Sequence, residues 1–194
     1  AEESATYRQI SGVIPHLHED GEVHMHEEVR GVYVVDNARF HKPGIWSAVV
    51  SIPIGDGVAD RNADVAFEVM SESATLEVGD LVPPSRNLIA PDGNDLTEIT
   101  THSPPVPGLY ELTIAEALLL EKPFVVAFAT PAYCSSRLCG PVTDMIAQVY
   151  QRHRGVMGFI HVEPWDLELA RAEGRLKFND VSKEWKLPSE PWVF

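Results

Sequence analysis

The sequence predicts an α/β domain preceded by a small β-sandwich, and three observations carry that prediction. Val29 to Val35, Gly44 to Ile54 and Asp64 to Met70 alternate or cluster β-branched and aromatic residues between glycine, asparagine and aspartate, as short strands do. From Phe124 onward an apolar run, a cysteine-bearing turn, an amphipathic stretch and a second apolar run follow one another, the order of a strand–helix–strand unit. Between these regimes lies a proline-rich connection, Val78-Gly79-Asp80-Leu81-Val82-Pro83-Pro84-Ser85, so the chain divides into residues 1–75 and 76–194. At 194 residues and 44% hydrophobic content the chain can bury one moderate core or two small ones, and the motif order favours two.

The first element is His16-Leu17-His18-Glu19-Asp20-Gly21-Glu22-Val23-His24-Met25-His26, two His-x-His pairs around an Asp-Gly turn. An odd-numbered loop, for instance Asp20 to Glu22, sets His18 opposite His24 and His16 opposite His26 on one face. A two-residue loop puts the pairs on opposite faces. In the first arrangement His16, His18, His24 and His26 form a set suited to copper, zinc or nickel. The other reading is an exposed polar hairpin or mobile terminus. His41, His102, His153 and His161 lack a local partner pattern and are expected as surface or satisfied polar residues.

In the β-rich stretch Trp46 is expected in the core. A second proline run, Ser103-Pro104-Pro105-Val106-Pro107-Gly108, resists regular structure. Thr113-Ile114-Ala115-Glu116 matches a capping box and predicts a helix that ends before Lys122-Pro123, carrying Leu118, Leu119 and Leu120 toward the core. Phe124 to Ala129 predicts a strand. Val142, Met145, Ile146, Val149 and Tyr150 form one helical stripe, so a helix is expected from Pro141 to His153, with Gly155 as its stop. Val156 to Val162 predicts the next strand, followed by a helical stretch.

The chain has two cysteines, Cys134 and Cys139, in Thr130-Pro131-Ala132-Tyr133-Cys134-Ser135-Ser136-Arg137-Leu138-Cys139-Gly140-Pro141. With no third cysteine, a zinc site built on thiolates alone is excluded. A thiol at a helix entrance meets unpaired N–H groups that favour thiolate, and exchange chemistry calls for an accessible, electropositive mouth. Were the helix to begin near Cys134, the two Cα atoms would stand about 8 to 9 Å apart, beyond the roughly 7 Å a disulfide spans. The segment is therefore a loop, or oxidation unwinds a turn. Either thiol can be the attacking one: Cys134 lies nearer the strand end, Cys139 nearer the helix dipole. The alternative to exchange is a local structural disulfide, a modest staple of about 2 kcal/mol on the chain-entropy estimate.

The order strand, cysteine turn, helix, strand, helical stretch and Leu187-Pro188-Ser189-Glu190-Pro191-Trp192-Val193-Phe194 resembles an extracytoplasmic thioredoxin-like domain over roughly the last hundred residues. The resemblance implies a cis Glu190–Pro191 bond facing the cysteines, a strand beginning at Trp192, and Cys134, Cys139 and Pro191 as the catalytic set. Cys134 would attack and Cys139 resolve the mixed disulfide. It implies protein thiols or disulfides as partners and no required cofactor; copper or zinc is expected, if at all, at the histidine set of residues 16–26. The four-residue spacing between the cysteines resembles bacterioferritin-comigratory peroxiredoxins, but Thr130 stands four residues before Cys134 rather than three, and Arg137 is the nearby arginine. Phe159-Ile160-His161-Val162-Glu163-Pro164 resembles copper-chaperone relatives. Reductant thioredoxins keep a buried carboxylate where this chain has Ala127. Upstream, Ala38 to Val50 with Val65 to Val69 resembles immunoglobulin-like modules, in which a turn glycine precedes a buried tryptophan.

A formal charge of −14 disfavours nucleic acid and anionic membrane surfaces as partners. No apolar segment reaches the length of a membrane helix, so direct membrane insertion is not expected. The resemblance and the opening at Ala1 without methionine suggest a processed chain in a secreted, periplasmic or cell-surface setting. A full domain of this type would continue past Phe194 into a hairpin partner and a final helix. The leading expectation is a thiol–disulfide redox protein. The alternatives are a copper- or zinc-handling protein, a thiol peroxidase and a non-catalytic module with a structural disulfide.

Overall fold

In a computed structural model of the chain, the described residues are 2–9, 16–17, 23–24, 31–55, 59–91, 95–134 and 138–194. The first half contains Thr6–Gln9 (β1), His16–Leu17 (β2), Val23–His24 (β3), Gly31–Val34 (β4), Gly44–Ile52 (β5) and Arg61–Val69 (β6). They pair antiparallel as β1 with β4, β2 with β3 and β5 with β6, in three separate two-stranded sheets. The register of β5 and β6 sets Trp46 opposite Phe67, Ala48 opposite Val65 and Val50 opposite Ala63 on one face, while the other sets Ile45 against Glu68 and Val49 against Asp64. Among residues 2–9, 31–55 and 59–74 no side chain is buried. Among those residues the expected strands pair without burying a side chain. Trp46, expected in the core, is half-buried: its Nε1 donates to the Lys42 carbonyl at 3.1 Å, and its ring packs edge-on against Phe40 and His41.

Burial begins at the connection. The Thr75 hydroxyl donates to the Trp185 carbonyl at 2.7 Å, and Leu76 and Val82 pack on the core that follows. The remaining elements are a 3-10 turn at Pro107–Leu109, then Ile114–Leu119 (α1), Phe124–Phe128 (β7), Cys139–His153 (α2), Gly158–Val162 (β8), Leu167–Glu173 (α3), Asp180–Glu184 (α4) and Trp192–Val193 (β9). The sheet order is β8-β7-β9, with β8 parallel and β9 antiparallel to the central β7. A parallel neighbour requires a crossover, and α2 lies within it.

Because β7 is covered on both sides, its sequence is apolar throughout, and alternate residues enter different cores. Val126 and Phe128, with Ile160 and Val162 of β8, meet Ile114, Ala117 and Trp185. Ala127 and Phe159 face the opposite way, toward Leu109, Tyr110 and Ile146. By the same alternation His161 and Glu163 fall on the α2 side, where both are buried.

The capping box at α1 forms in both directions: Glu116 N–H donates to Thr113 Oγ1 at 3.1 Å, and Thr113 N–H donates to Glu116 Oε2 at 2.9 Å. The leucines behind it do not enter the core as expected. Ile114 and Ala117, three apart, fill the inward stripe of this six-residue helix and leave Leu118, Leu119 and Leu120 outside, with Leu119 81% exposed. Likewise α2 buries Cys139, Thr143, Asp144 and Ile146, while Met145 and Val149 of the expected stripe lie at the exposed margin. It begins two residues before Pro141, which still falls in the first turn where no intrahelical N–H partner is lost. At the end of α3, Gly174 takes φ 63°, the left-handed cap that side chains resist.

Replacing the fully buried Ile114 with alanine should therefore cost about 2 to 5 kcal/mol of unfolding free energy, whereas Leu119→Ala should change it by less than about 0.5 kcal/mol. Urea denaturation of the two variants checks the assignment, and equal losses would contradict it.

Candidate active site at the cysteine turn

The central strand ends at Phe128 and is followed by Ala129 and Thr130, both fully buried, and a turn over 131–133 leads to Cys134. Cys134 and Cys139 form a disulfide with Cα atoms 6.0 Å apart. Residues 135–137 lie outside the described residues, and α2 starts only at the second cysteine. The pair is asymmetric. Cys139 has no exposed surface, whereas Cys134 is partly exposed. The Thr143 hydroxyl donates to the Cys139 carbonyl at 2.9 Å and ties that residue into the first helical turn.

The partner of the cysteine turn comes from the far end of the chain. Glu190–Pro191 is cis, as the thioredoxin resemblance implied. Phe128 pairs with Trp192, so one step further along the antiparallel register Pro191 is level with Ala129, and a second step brings Glu190 level with Thr130. The Thr130 N–H donates to Glu190 Oε2 at 2.7 Å, and Trp165 Nε1 donates to Glu190 Oε1 at 2.6 Å. Trp165 is itself held by face-to-face stacking on Phe178 at 4.2 Å. So fixed, a Glu190 carboxylate oxygen and the two sulfurs all lie within 4.8 Å of one another. Burial pushes the Glu190 pKa up, against the hydrogen bonds from Trp165 and Thr130. Among the described residues a carboxylate stands at the sulfurs, which opposes thiolate formation, with the α2 N-terminus acting the other way.

Beneath the turn lies a buried polar network. Glu163 Oε1 accepts from the Thr100 hydroxyl at 3.0 Å, the Thr101 N–H at 2.5 Å and the Thr101 hydroxyl at 2.9 Å. Thr101 Oγ1 also accepts the Ala132 N–H at 3.2 Å, so the carboxylate reaches the cysteine turn through one hydroxyl. Burial raises Glu163 from 4.5 to about 7, although Thr101, Thr100 and Thr130 all favour its ionised form. His161 Nε2 donates to the Ala129 carbonyl at 2.9 Å, which leaves Nδ1 to accept the Tyr110 hydroxyl at 2.7 Å. Burial, then the neighbouring His102 ring, press its pKa from 6.5 down to about 3, opposed by the Ala129 bond. Tyr110 is raised, chiefly by burial. His102 Nε2 meets Asp144 Oδ1 of α2 at 2.9 Å with both side chains buried. His161 is thus a buried residue with both ring nitrogens paired, as a satisfied polar residue should be, whereas His102 is buried with Nε2 on Asp144 and no hydrogen-bond partner at Nδ1. A cleft of about 910 Å³ adjoins this network, lined by Arg86, Glu98, Glu163 and Trp165 among others, and neither cysteine lines it.

At the other candidate site His16 is opposite His24, a register shifted by two from the pairing His18 to His24. His18 and His26 lie outside the described residues, as does Arg137. Sequence reasoning missed Glu190, Glu163 and the His102–Asp144 pair. Glu190 had a local signal, since it immediately precedes the proline assigned to face the cysteines.

No protein-family model, curated protein or solved structure matches the chain, and among the described residues no helix is long and apolar enough to cross a membrane.

Glu163 and His161 should set opposing pH dependences. Glu163 keeps its proton to about pH 7 when folded but releases it near 4.5 when unfolded, so its contribution falls as pH rises across that window. His161 stays neutral to about pH 3 when folded but takes a proton near 6.5 when unfolded, so its contribution is lost as pH falls below 6.5. Glu163→Gln retains an acceptor for the threonines and removes the first effect. Its stability relative to the parent should rise from pH 4.5 to 7 by up to about 1.4 kcal/mol per pH unit, read from urea midpoints. A pH-independent difference would contradict the assignment.

Proposed function

We propose that the chain is an extracytoplasmic thiol–disulfide exchange protein of thioredoxin-like type, acting on protein thiols or disulfides through Cys134 and Cys139. The observation that carries this reading is the asymmetry of the pair: a partly exposed sulfur-bearing residue beside a fully buried one at a helix entrance. Only Cys134 offers an incoming sulfur access, while Cys139 is placed to attack it from within. The β7–α2–β8 order, the antiparallel β9 and the position of Pro191 level with Ala129 support the likeness to thioredoxin-like domains.

In the reducing direction the Cys134 thiol gives up its proton and the thiolate attacks a partner disulfide, forming a mixed disulfide and releasing one partner thiolate. The Cys139 thiolate then attacks Cys134 Sγ, closing the intramolecular bond and releasing the second. The dithiol loses two electrons and two protons, and the partner disulfide gains them. The oxidising direction is the reverse. Helix-dipole support and the adjoining carboxylate act oppositely on the thiolate, so the attacking thiol is expected to be less acidic than one facing a positive group.

Two measurements test the proposal. The reduction potential should lie above about −300 mV, since a lower one marks an inert structural bridge. With a disulfide-containing peptide, Cys139→Ser should accumulate a mixed disulfide at Cys134 and Cys134→Ser should accumulate none, read by non-reducing mass spectrometry. Equal trapping by both variants, or by neither, would overturn the assigned roles.

A further inference from the structure

Two thiols and a carboxylate converge at one point, which ordinary exchange does not require. Each is an acid, and ionising any one makes ionising the others harder. A cation removes that conflict. We propose that the reduced form of the chain binds one borderline divalent cation of the Zn²⁺ class through Cys134 Sγ, Cys139 Sγ and a Glu190 carboxylate oxygen, and that oxidation to the disulfide switches the site off.

Four observations carry this. The three ligand atoms already lie within 4.8 Å of one another, and closing on a cation asks only that they settle at about 2.3 Å for sulfur and 2.0 to 2.2 Å for oxygen. Glu190 is held in place by Thr130 N–H and Trp165 Nε1, one bond per oxygen, so each oxygen keeps a lone pair. Cys134 follows the turn over 131–133 and Cys139 opens α2, so breaking the S–S bond lets the sulfurs separate to ligand spacing with α2 intact. The set of two sulfurs and one oxygen leaves a fourth position for water, the pattern of an open zinc site. Cuprous ion is satisfied by soft ligands and has little use for a carboxylate, so dependence on Glu190 separates the two chemistries.

The site depends on the disulfide being reducible, as the exchange function also requires. A dithiol reductant supplies two electrons and two protons, giving two thiols. The cation then displaces both protons and meets two thiolates and one carboxylate. In the disulfide form neither sulfur carries a negative charge, and the carboxylate alone remains.

The test uses the full chain reduced with dithiothreitol and freed of it, titrated with Co²⁺ as a spectroscopic probe and then with Zn²⁺ against a chromophoric chelator. The reduced chain should show thiolate-to-Co²⁺ charge-transfer absorption saturating at one equivalent and displaced by Zn²⁺, and the disulfide form none. Glu190→Gln, with both thiols still open to alkylation, should bind Zn²⁺ at least tenfold more weakly. Trp165→Phe, which frees one carboxylate oxygen, should weaken it severalfold, and this second variant decides the matter if the first does not fold. Replacing His16, His18, His24 and His26 should leave the charge-transfer band in place. Two alkylatable thiols with no band, or Zn²⁺ affinity unchanged in both carboxylate variants, would overturn the metal site and leave exchange standing. A chain whose thiols never become alkylatable would overturn both.

Discussion

One carboxylate oxygen, Glu163 Oε1, holds the floor of the cysteine turn together. Its residue directly follows β8 and is buried, and the oxygen accepts three hydrogen bonds from Thr100 and Thr101. Without such partners a buried carboxylate would be costly; with them it fastens the 95–106 connection beneath the turn that carries Cys134. The same connection is pinned a second time by His102 on Asp144 of α2, one and a half turns after Cys139. The turn and the helix that carry the two sulfurs are therefore braced from one polar segment, in a layer that composition alone would assign to hydrophobic packing.

The geometry above that floor explains why the two cysteines are not equivalent. Cys139 is enclosed by the helix it begins, and its carbonyl is engaged by Thr143; Cys134 stands on the open side, at the end of the turn. Across from them a strand returning from the end of the chain delivers Pro191 and Glu190 to the level of Ala129 and Thr130. The chemistry thus draws on segments some sixty residues apart, and the antiparallel pairing of β9 with β7 sets their alignment.

Features governed by local rules were readable in advance. The Thr113 capping box, the apolar run of β7 and the extent of α2 all follow from spacing and propensity. The placement of Leu118, Leu119 and Leu120 was misread because a six-residue helix has room for one inward stripe, and Ile114 with Ala117 already occupies it. Trp46 was misread because side-chain type suggests burial, while burial itself needs a second layer. Glu163, His102 and Asp144 were invisible to the sequence because each becomes intelligible only through partners distant in the chain. Glu190 lies between these cases: its neighbour Pro191 was singled out, but its role depends on register, Trp165 and Thr130 together.

The β5–β6 ribbon has nine residues in each strand, yet contributes nothing to the interior that encloses β7. Isolated ribbons of this kind derive little stability from their own contacts. Its backbone amides will consequently exchange with solvent through openings far smaller than global unfolding, while those of β7 wait for the whole carboxy-terminal interior to come apart. Mutational drift in the ribbon is therefore cheap for the carboxy-terminal interior, which makes the ribbon the freer part of this chain to change.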